Sequence, residues 1–291
     1  RAFGDDHPYT LIAIHNLGDI LMALGRLDEA EPYCREAEQG LRRVRGDDHP
    51  STLYSIYNLG YLLQLQGKLD AAEPYFREAL EQRRRVLGDD HPETMSTIEA
   101  IGHLLQLQGR LDEAEPFFRE ALEHRRRVLG DDNPETVRLV DSMCNLLQTR
   151  VALEEAEPYF REALEGRRRV LGDDHPDTLS ALFRMGDLLQ LERRYEEAEP
   201  YLRESLERRP RALGDDHPDT LHSFHLLGWV LRGQDKMDEA EACTREALER
   251  RRRVLGDDDQ RTLESIYQMG QFLQEQSRWT ESEPFVREAW E

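Results

Sequence analysis

Residues 58–79 read NLGYLLQLQGKLDAAEPYFREA, and this stretch decides the fold. Leucines at helical spacing come before Gly67, and a second apolar series, Ala72, Phe76 and Ala79, comes after it. Apolar residues three and four positions apart form one face of an amphipathic helix. A glycine between two such series ends the first helix and lets the chain turn back. The stretch therefore predicts two helices joined by a tight turn.

The same pattern returns every 42 residues along the chain. A loop that begins Gly-Asp-Asp opens each copy, and its glycine stands at Gly4, Gly46, Gly88, Gly130, Gly172, Gly214 and Gly256. A helix pair that recurs at a fixed period buries its apolar face against the next copy, so the copies stack. We therefore predict an all-α solenoid of about seven antiparallel helix pairs, organised as one array over residues 1–291.

Within the second copy we predict a first helix over about 50–65 and a second over about 70–86, with Asp70 as the cap of the second. The residue before the first helix is a histidine in five copies and Asn or Asp in the other two. Metal binding is one explanation of these side chains, but His, Asn and Asp share little as ligands of one metal. All three can cap a helix, so we predict caps at His7, His49, His91, Asn133, His175, His217 and Asp259.

Two small residues in each copy predict a close approach of the paired helices, as at Gly60 and Ala72. Cys144 takes the glycine position in the fourth copy, so we predict wider spacing of that helix pair. Pro210 lies late in the second helix of the fifth copy, where a proline removes a donor and clashes with the preceding turn. We predict that this helix ends early or kinks near Arg208.

The charge of the chain restricts its partners. The formal net charge is −21, which argues against nucleic acid or an anionic membrane as the main partner. No apolar run approaches the ~18 residues of a membrane span. Arginine triplets such as residues 83–85 follow Glu-rich helices and precede paired aspartates. They favour dipole compensation and an ion-pair ladder along one edge over a nucleic-acid patch.

The stretch quoted first resembles the tetratricopeptide repeat signature, through Asn58-Leu-Gly, Gly67, Ala72, Phe76 and Ala79. The 42-residue period and the Asp-Asp-His-Pro loop resemble the kinesin light chain type of this repeat, and the resemblance spans residues 4–291. It implies a right-handed superhelical solenoid in which the first helix of each copy lines a concave groove. Similar arrays are also attached to signalling NTPases.

The groove positions implied by the resemblance vary between copies, whereas the packing positions barely vary. Drift on an unconstrained surface would produce such variation. Against drift, the variable positions are rich in aromatic side chains, which are enriched at interfaces. We therefore take as candidate peptide-binding residues Tyr54, Tyr57, Tyr61, Glu99, His103, Asp141, Asn145, Phe183, Asp187, His225, Trp229, Arg232 and Tyr267.

The sequence predicts a non-enzymatic scaffold that binds a peptide or extended segment in this groove. No phosphate-binding loop, nucleophile elbow or Cys/His pairing points to catalysis, a cofactor or a metal. Aromatic rings and carboxylates along the groove predict a ligand with apolar anchors and some basic residues. The alternatives are a sensor arm of a larger signalling NTPase and an array that self-associates through its terminal faces. We expect a cytoplasmic location and a chain that is part of a longer protein.

Overall fold

The computed structural model describes residue 4 and residues 6–290. Within that part of the chain the regular structure consists of fourteen α-helices and no strands. The helices are α1 (Pro8–Ala23), α2 (Leu27–Arg45), α3 (Pro50–Leu65), α4 (Leu69–Leu87), α5 (Pro92–Leu107), α6 (Leu111–Leu129), α7 (Pro134–Thr149), α8 (Leu153–Leu171), α9 (Pro176–Leu191), α10 (Tyr195–Leu213), α11 (Pro218–Gly233), α12 (Met237–Leu255), α13 (Gln260–Glu275) and α14 (Trp279–Trp290). The predicted all-α class and helix-pair organisation are confirmed.

The chain forms two compact units, Arg1–Leu146 and Leu147–Glu291. In the first unit α1 packs on α2, α3 on α4 and α5 on α6, and each pair packs on the next through α2 with α3 and α4 with α5. In the second unit the pairs are α9 with α10, α11 with α12 and α13 with α14, joined in the same way. None of the described helices has the length and apolarity that crossing a bilayer requires.

The caps of the odd-numbered helices follow the prediction. Nδ1 of His49 accepts a hydrogen bond from the backbone N–H of Ser51 at 3.1 Å, and the other four histidines bond in the same way. Oδ1 of Asn133 and Oδ1 of Asp259 each accept such a bond at 2.9 Å. Histidine, asparagine and aspartate therefore all act as N-terminal helix caps, before α1, α3, α5, α7, α9, α11 and α13.

The predicted cap at Asp70 is wrong. α4 begins at Leu69, and Asp70 lies in its first turn, where a carboxylate favours the positive end of the helix dipole. The turn before α4 is satisfied by the backbone instead: the N–H of Gly67 donates to Gln64 O, and the N–H of Lys68 donates to Leu63 O, both at 2.9 Å. Gly67 has a φ of 74°, which makes this turn possible.

The small positions hold the paired helices close, as predicted. A Cβ at Gly60 would lie 3.2 Å from atoms of both Tyr75 and Phe76 of α4. Ala72 is fully buried in the same contact region. Cys144, at the glycine position of the fourth copy, is also fully buried, and the wider spacing expected there stays a prediction.

The predicted early end of α10 at Pro210 is wrong, and the alternative, a kink near Arg208, stays a prediction. The helix runs to Leu213, and the N–H of Gly214 donates to Pro210 O at 3.0 Å. The proline removes only its own donor, while its neighbour Arg209 is buried and donates to Asp219 O at 2.5 Å. These contacts with α11 hold the last turn of α10 in place.

Candidate functional site

A cavity of about 850 Å³ opens along the odd-numbered helices of the first unit. Four of the predicted residues line it: Tyr57 and Tyr61 from α3, and Glu99 and His103 from α5. We call it the first-unit pocket, and its remaining lining residues are Gln64, Ser96, Ala100, Gln106, Leu107, Arg125, Arg138 and Ser142.

Tyr57 is fixed on three sides. Its ring stacks on Tyr61 at 6.5 Å between centroids and 7° between planes, and it lies 5.3 Å from the ring of Phe76. Its third neighbour is the guanidinium of Arg83, whose Cζ lies 4.8 Å from the ring centroid. Burial raises the pKa of the Tyr57 hydroxyl, although Arg83 opposes the shift. Tyr61 is 42% exposed, so its ring remains open to a ligand.

Tyr54 belongs to a different cluster from Tyr57 and Tyr61. Its ring meets His15 edge-on at 5.0 Å, and His15 is buried beside Asp19, with 3.4 Å between Nε2 and Oδ2. Asn58 donates to Asp19 at 2.7 Å. The three tyrosines of α3 therefore share a helix face but divide between two sites.

Glu99 is a compensated carboxylate rather than an open one. Its Oε2 accepts from Arg125 at 2.5 Å, and its Oε1 lies 3.6 Å from His103 Nε2 and 3.9 Å from Arg138 Nη2. Burial acts to raise the pKa of Glu99, but His103 and the two arginines together hold it below its ordinary value. Glu99 therefore remains charged and already has partners within the first-unit pocket.

Four arginines at the first position of the triplet or its equivalent are buried, which the sequence did not predict, whereas Arg167 at the same position of the fourth copy is half-buried. We call Arg83, Arg125, Arg209 and Arg251 the floor arginines, and only 2–3% of each is exposed. Three of them donate forward to the next odd-numbered helix, to a carbonyl and to a hydroxyl. The pairs are Arg83 with Glu93 O and Thr97 Oγ1, Arg209 with Asp219 O and Ser223 Oγ, and Arg251 with Arg261 O and Ser265 Oγ. Arg125 instead bonds Glu99 and Glu135.

The other two arginines of each triplet form the predicted ladder. The second arginine pairs with a glutamate of the next copy, as in Arg42–Glu78, Arg84–Glu120, Arg168–Glu204 and Arg252–Glu288. The third pairs with an aspartate of the preceding loop, as in Arg43–Asp6, Arg85–Asp48, Arg127–Asp90 and Arg253–Asp216. The edge ladder is thus confirmed for two arginines of the triplet, and the interpretation is wrong for the buried one.

The second unit repeats the arrangement with other side chains. The Phe183 ring lies over Arg209, with 4.9 Å between the centroid and Cζ, and the ring of His222 lies 4.7 Å away. Nδ1 of His225 lies 3.4 Å from Arg251 Nη1. Burial, Arg251 and His222 lower the pKa of His225 to about 3. The imidazole is therefore neutral at ordinary pH.

Four other predicted residues in the second unit occupy separate contacts. Arg232 lies over the Trp229 ring at 4.7 Å and pairs with Glu275. Gln271 Nε2 donates to Tyr267 Oη at 2.6 Å. Burial raises the pKa of Asp187, while Arg184 opposes the shift.

Asp141 and Asn145 lie on α7 outside the lining of the first-unit pocket, half-buried and exposed respectively.

Within residue 4 and residues 6–290 there is no group of three or more His, Cys, Asp or Glu side chains placed to hold a metal ion. Cys34, Cys144 and Cys243 are free thiols, and burial raises the pKa of Cys34 to about 11. A thiol with so high a pKa is a poor nucleophile at neutral pH.

The tetratricopeptide repeat family model matches six overlapping segments, residues 9–80, 53–127, 94–139, 140–211, 179–253 and 230–291. These matches cover most of the chain. No curated protein matches this sequence at a significant level.

Solved structures share the fold at low sequence identity. The nearly identical TPR-like repeats of a Podospora anserina protein, described as a kinesin light chain, align with a TM-score of 0.62 at 18% identity, over 70% of this chain and 97% of that chain. BtubC (BKLC) from P. vanneervenii aligns with a TM-score of 0.62 at 23% identity, over 79% and 92%. A STAND-class signal transduction ATPase with a tetratricopeptide repeat sensor, from Pyrococcus horikoshii, aligns with a TM-score of 0.73 at 13% identity, over 96% of this chain and 41% of that chain.

Proposed function

Because the chain belongs to the tetratricopeptide repeat family, we propose that it is a non-enzymatic protein-interaction scaffold that binds a peptide or extended segment along α3, α5 and α7. The observation that carries the proposal is the first-unit pocket. Its volume of about 850 Å³ suits a few side chains of an extended ligand. The free thiols support a reducing compartment such as the cytoplasm, which is part of the proposal.

The first-unit pocket is lined by both apolar and amide side chains, a combination that suits a peptide. The exposed side of Tyr61 and the exposed Leu107 offer apolar surface for an anchor residue. Gln64 and Gln106 bring amides that can pair with the backbone of an extended chain. Such a combination of apolar contact and a few placed polar groups is typical of ligand sites.

The ligand we propose has apolar anchors and some basic residues. The net charge of −21 attracts a cationic peptide over long range. Within the first-unit pocket Glu99 adds little to this attraction, because Arg125 and Arg138 already compensate its charge. Apolar anchoring therefore contributes most of the affinity there, and the basic residues act chiefly on the rate of association.

Selection from a displayed library of random peptides tests this function. We expect a selected peptide to lose at least about tenfold in affinity, or 1.4 kcal/mol, with Tyr61→Ala or Leu107→Ser. Glu81→Ala, on an exposed site of α4 outside the pocket, is the matched control and should leave the affinity within about twofold. Affinities that stay the same in all three variants would exclude the pocket as the binding site.

A sensor arm of a larger NTPase is the second candidate function. The P. horikoshii ATPase favours it, since its match covers 96% of this chain. The test is to delete the array from a full-length protein that carries an NTPase domain and to measure hydrolysis. A rise in hydrolysis supports an inhibitory sensor, and an unchanged rate favours the plain scaffold.

Self-association is the third candidate, and the exposed Trp279 of α14 favours it. Light scattering over a range of protein concentrations tests it, with Trp279→Ser as the comparison. A molar mass that rises with concentration in the wild type alone would support it.

A further inference from the structure

We propose that the floor arginines are positioning residues for the groove. Each holds the groove side chain that precedes it by 26 residues, as Arg125 holds Glu99 and Arg251 holds His225, and so sets what the groove offers to a ligand at that level. The proposal rests on the proposed function, because it concerns the surface that would contact the peptide.

The guanidinium of a floor arginine is held on two sides. Arg83 Nη1 donates to Glu93 O at 3.0 Å and to Thr97 Oγ1 at 2.7 Å, so α5 fixes its orientation. The Tyr57 ring then covers the fixed guanidinium at 4.8 Å. A planar cation with a fixed orientation attracts a ring to its face, so the tyrosine is held by its neighbour's geometry.

The second unit builds the same arrangement from different residues. Arg209 Nη1 donates to Ser223 Oγ at 2.7 Å, and its Nη2 donates to Leu179 O at 3.2 Å. Phe183 covers this guanidinium at 4.9 Å. A ring without a hydroxyl occupies the place of Tyr57, so the contact depends on the aromatic face and not on a hydrogen bond.

Stability alone does not account for a buried arginine at this position. Burial lowers the pKa of Arg209 to about 10, and its Nε has no hydrogen-bond partner among the described residues. Well-packed apolar residues of similar volume can often replace buried ionic groups without loss of stability. The first copy shows this replacement, because Leu41 stands at the equivalent position and is buried.

The first copy also shows what happens to the groove side chain when the arginine is missing. His15 occupies the place equivalent to Tyr57, and it is held by Asp19 at 3.4 Å and by the edge of the Tyr54 ring at 5.0 Å. A different set of neighbours thus replaces the arginine. A floor arginine is therefore one of two ways in which the groove side chain at the Tyr57 position is held in place.

Each copy with a floor arginine presents one groove side chain against it, the residue 26 positions earlier. That side chain determines which group of a ligand can bind at that copy. Tyr57 and Phe183 present rings of fixed orientation, which suit an apolar anchor of the ligand. Glu99 cancels the charge of Arg125 and offers no free carboxylate, so a basic residue of the ligand gains little there. We therefore place an apolar anchor of the ligand against the Tyr57 ring of the first unit.

A double-mutant cycle on peptide affinity tests whether Arg83 acts through Tyr57. The probe is a peptide selected against the wild-type protein from the random library. We expect Arg83→Leu to weaken binding about tenfold in the wild-type background and less than about twofold in the Tyr57→Ala background. Arg85→Leu is the matched control: it lies two residues away in α4, is 63% exposed and pairs with Asp48. Its effect should stay below about twofold.

An equal loss in both backgrounds would overturn the proposal, because a merely structural role of Arg83 does not depend on Tyr57. Circular dichroism checks that each variant is folded. If Arg83→Leu fails to fold, or if the peptide does not depend on Tyr57, the cycle is repeated with Arg209→Leu and Phe183→Ala.

A second measurement needs no ligand. In protein labelled with 3-fluorotyrosine, the ¹⁹F signal of Tyr57 is assigned by its loss in Tyr57→Phe. A fixed ring can place its one fluorine on either side, so we expect the same set of one or two resolved signals in the wild type and in Arg85→Leu, and shifted or averaged signals in Arg83→Leu. An unchanged set of signals in all three proteins would overturn the positioning role. Failure to select any peptide would count against the proposed function alone.

Discussion

The ring of Tyr57 covers the guanidinium of Arg83, with 4.8 Å between the ring centroid and Cζ. Arg83 is at the same time bonded to Thr97 on the following helix pair. One side chain therefore contacts both the groove surface and the junction between consecutive copies. A substitution of Arg83 should therefore affect both the position of the Tyr57 ring and the packing between consecutive copies.

Removing the carboxylate at Glu99 tests the buried ion pair directly. Glu99→Gln leaves Arg125 without its buried charged partner, while Glu135 still accepts from it at 2.9 Å. We expect the free energy of unfolding to fall by about 2 kcal/mol, below the roughly 3–5 kcal/mol of a buried pair that loses its only partner. Urea denaturation measures the change. Glu123→Gln on the exposed side of α6 should change it by no more than about 0.5 kcal/mol, and equal effects of the two variants would contradict the burial of the pair.

The helix pairs could be predicted from the sequence because their signals are local. Apolar spacing around Leu53 and Ile56, a turn glycine at Gly67 and a cap at His49 need no knowledge of distant contacts. The cap at Asp70 failed because two backbone hydrogen bonds close the turn before α4 and place its start at Leu69.

The burial of the floor arginines could not be predicted in the same way, because charged side chains are usually exposed. Arg83 does lie on the face of α4 that carries Phe76 and Leu80, and this was the available signal. Its burial depends on a carbonyl and a hydroxyl that the next copy supplies. Register between copies likewise explains why Tyr54 joins His15 instead of Tyr57.

The turn between α7 and α8 offers a stabilising substitution. Val151 has a φ of 60°, where three sister turns have Gly25, Gly67 and Gly109, and it is 75% exposed. A β-branched residue in this region is strained by roughly 1–2 kcal/mol. We expect Val151→Gly to raise the free energy of unfolding by about 1 kcal/mol, since the added entropy of glycine in the unfolded chain offsets part of the gain.

The control for this substitution is Glu165→Gly, at an exposed position inside α8. There glycine should lower the free energy of unfolding by about 0.5–1 kcal/mol, because it weakens a helix interior. Thermal and urea unfolding of both variants measure whether each substitution raises or lowers the free energy of unfolding. A loss of stability in Val151→Gly would show that the turn is not strained.

The ion-pair ladder should contribute modestly to stability. Pairs such as Arg85–Asp48 and Arg253–Asp216 are largely exposed, and exposed pairs are each worth ~0–1 kcal/mol. Salt screens these pairs, but it also screens the repulsion within a chain of net charge −21. We expect the Tm to shift by less than about 3 °C between about 0.1 M and 1 M NaCl. A fall of ten degrees or so would mean that ion pairs and not apolar packing hold the copies together.

The pH dependence of stability should reveal His225. Its pKa is lowered from 6.5 to about 3 in the folded chain, by burial first and then by Arg251 and His222. As the pH falls below about 6.5, the unfolded chain binds a proton that the folded chain does not bind. The stability that the neutral imidazole provides is therefore present above this pH and is lost as the pH falls toward 3. The slope from this one group is at most about 1.4 kcal/mol per pH unit.

Two neutral replacements separate His225 from the other titrating groups. His225→Phe introduces the residue that the preceding copy has at this place, Phe183, and His225→Gln keeps a polar side chain. Both variants should lose less stability than the wild type between pH of about 7.5 and 5, whatever their stability at pH 7.5, because neither binds the extra proton on unfolding. Urea unfolding at several pH values gives the three slopes. The same slope in the wild type and both variants would show that His225 titrates normally and that its imidazole is not desolvated beside Arg251.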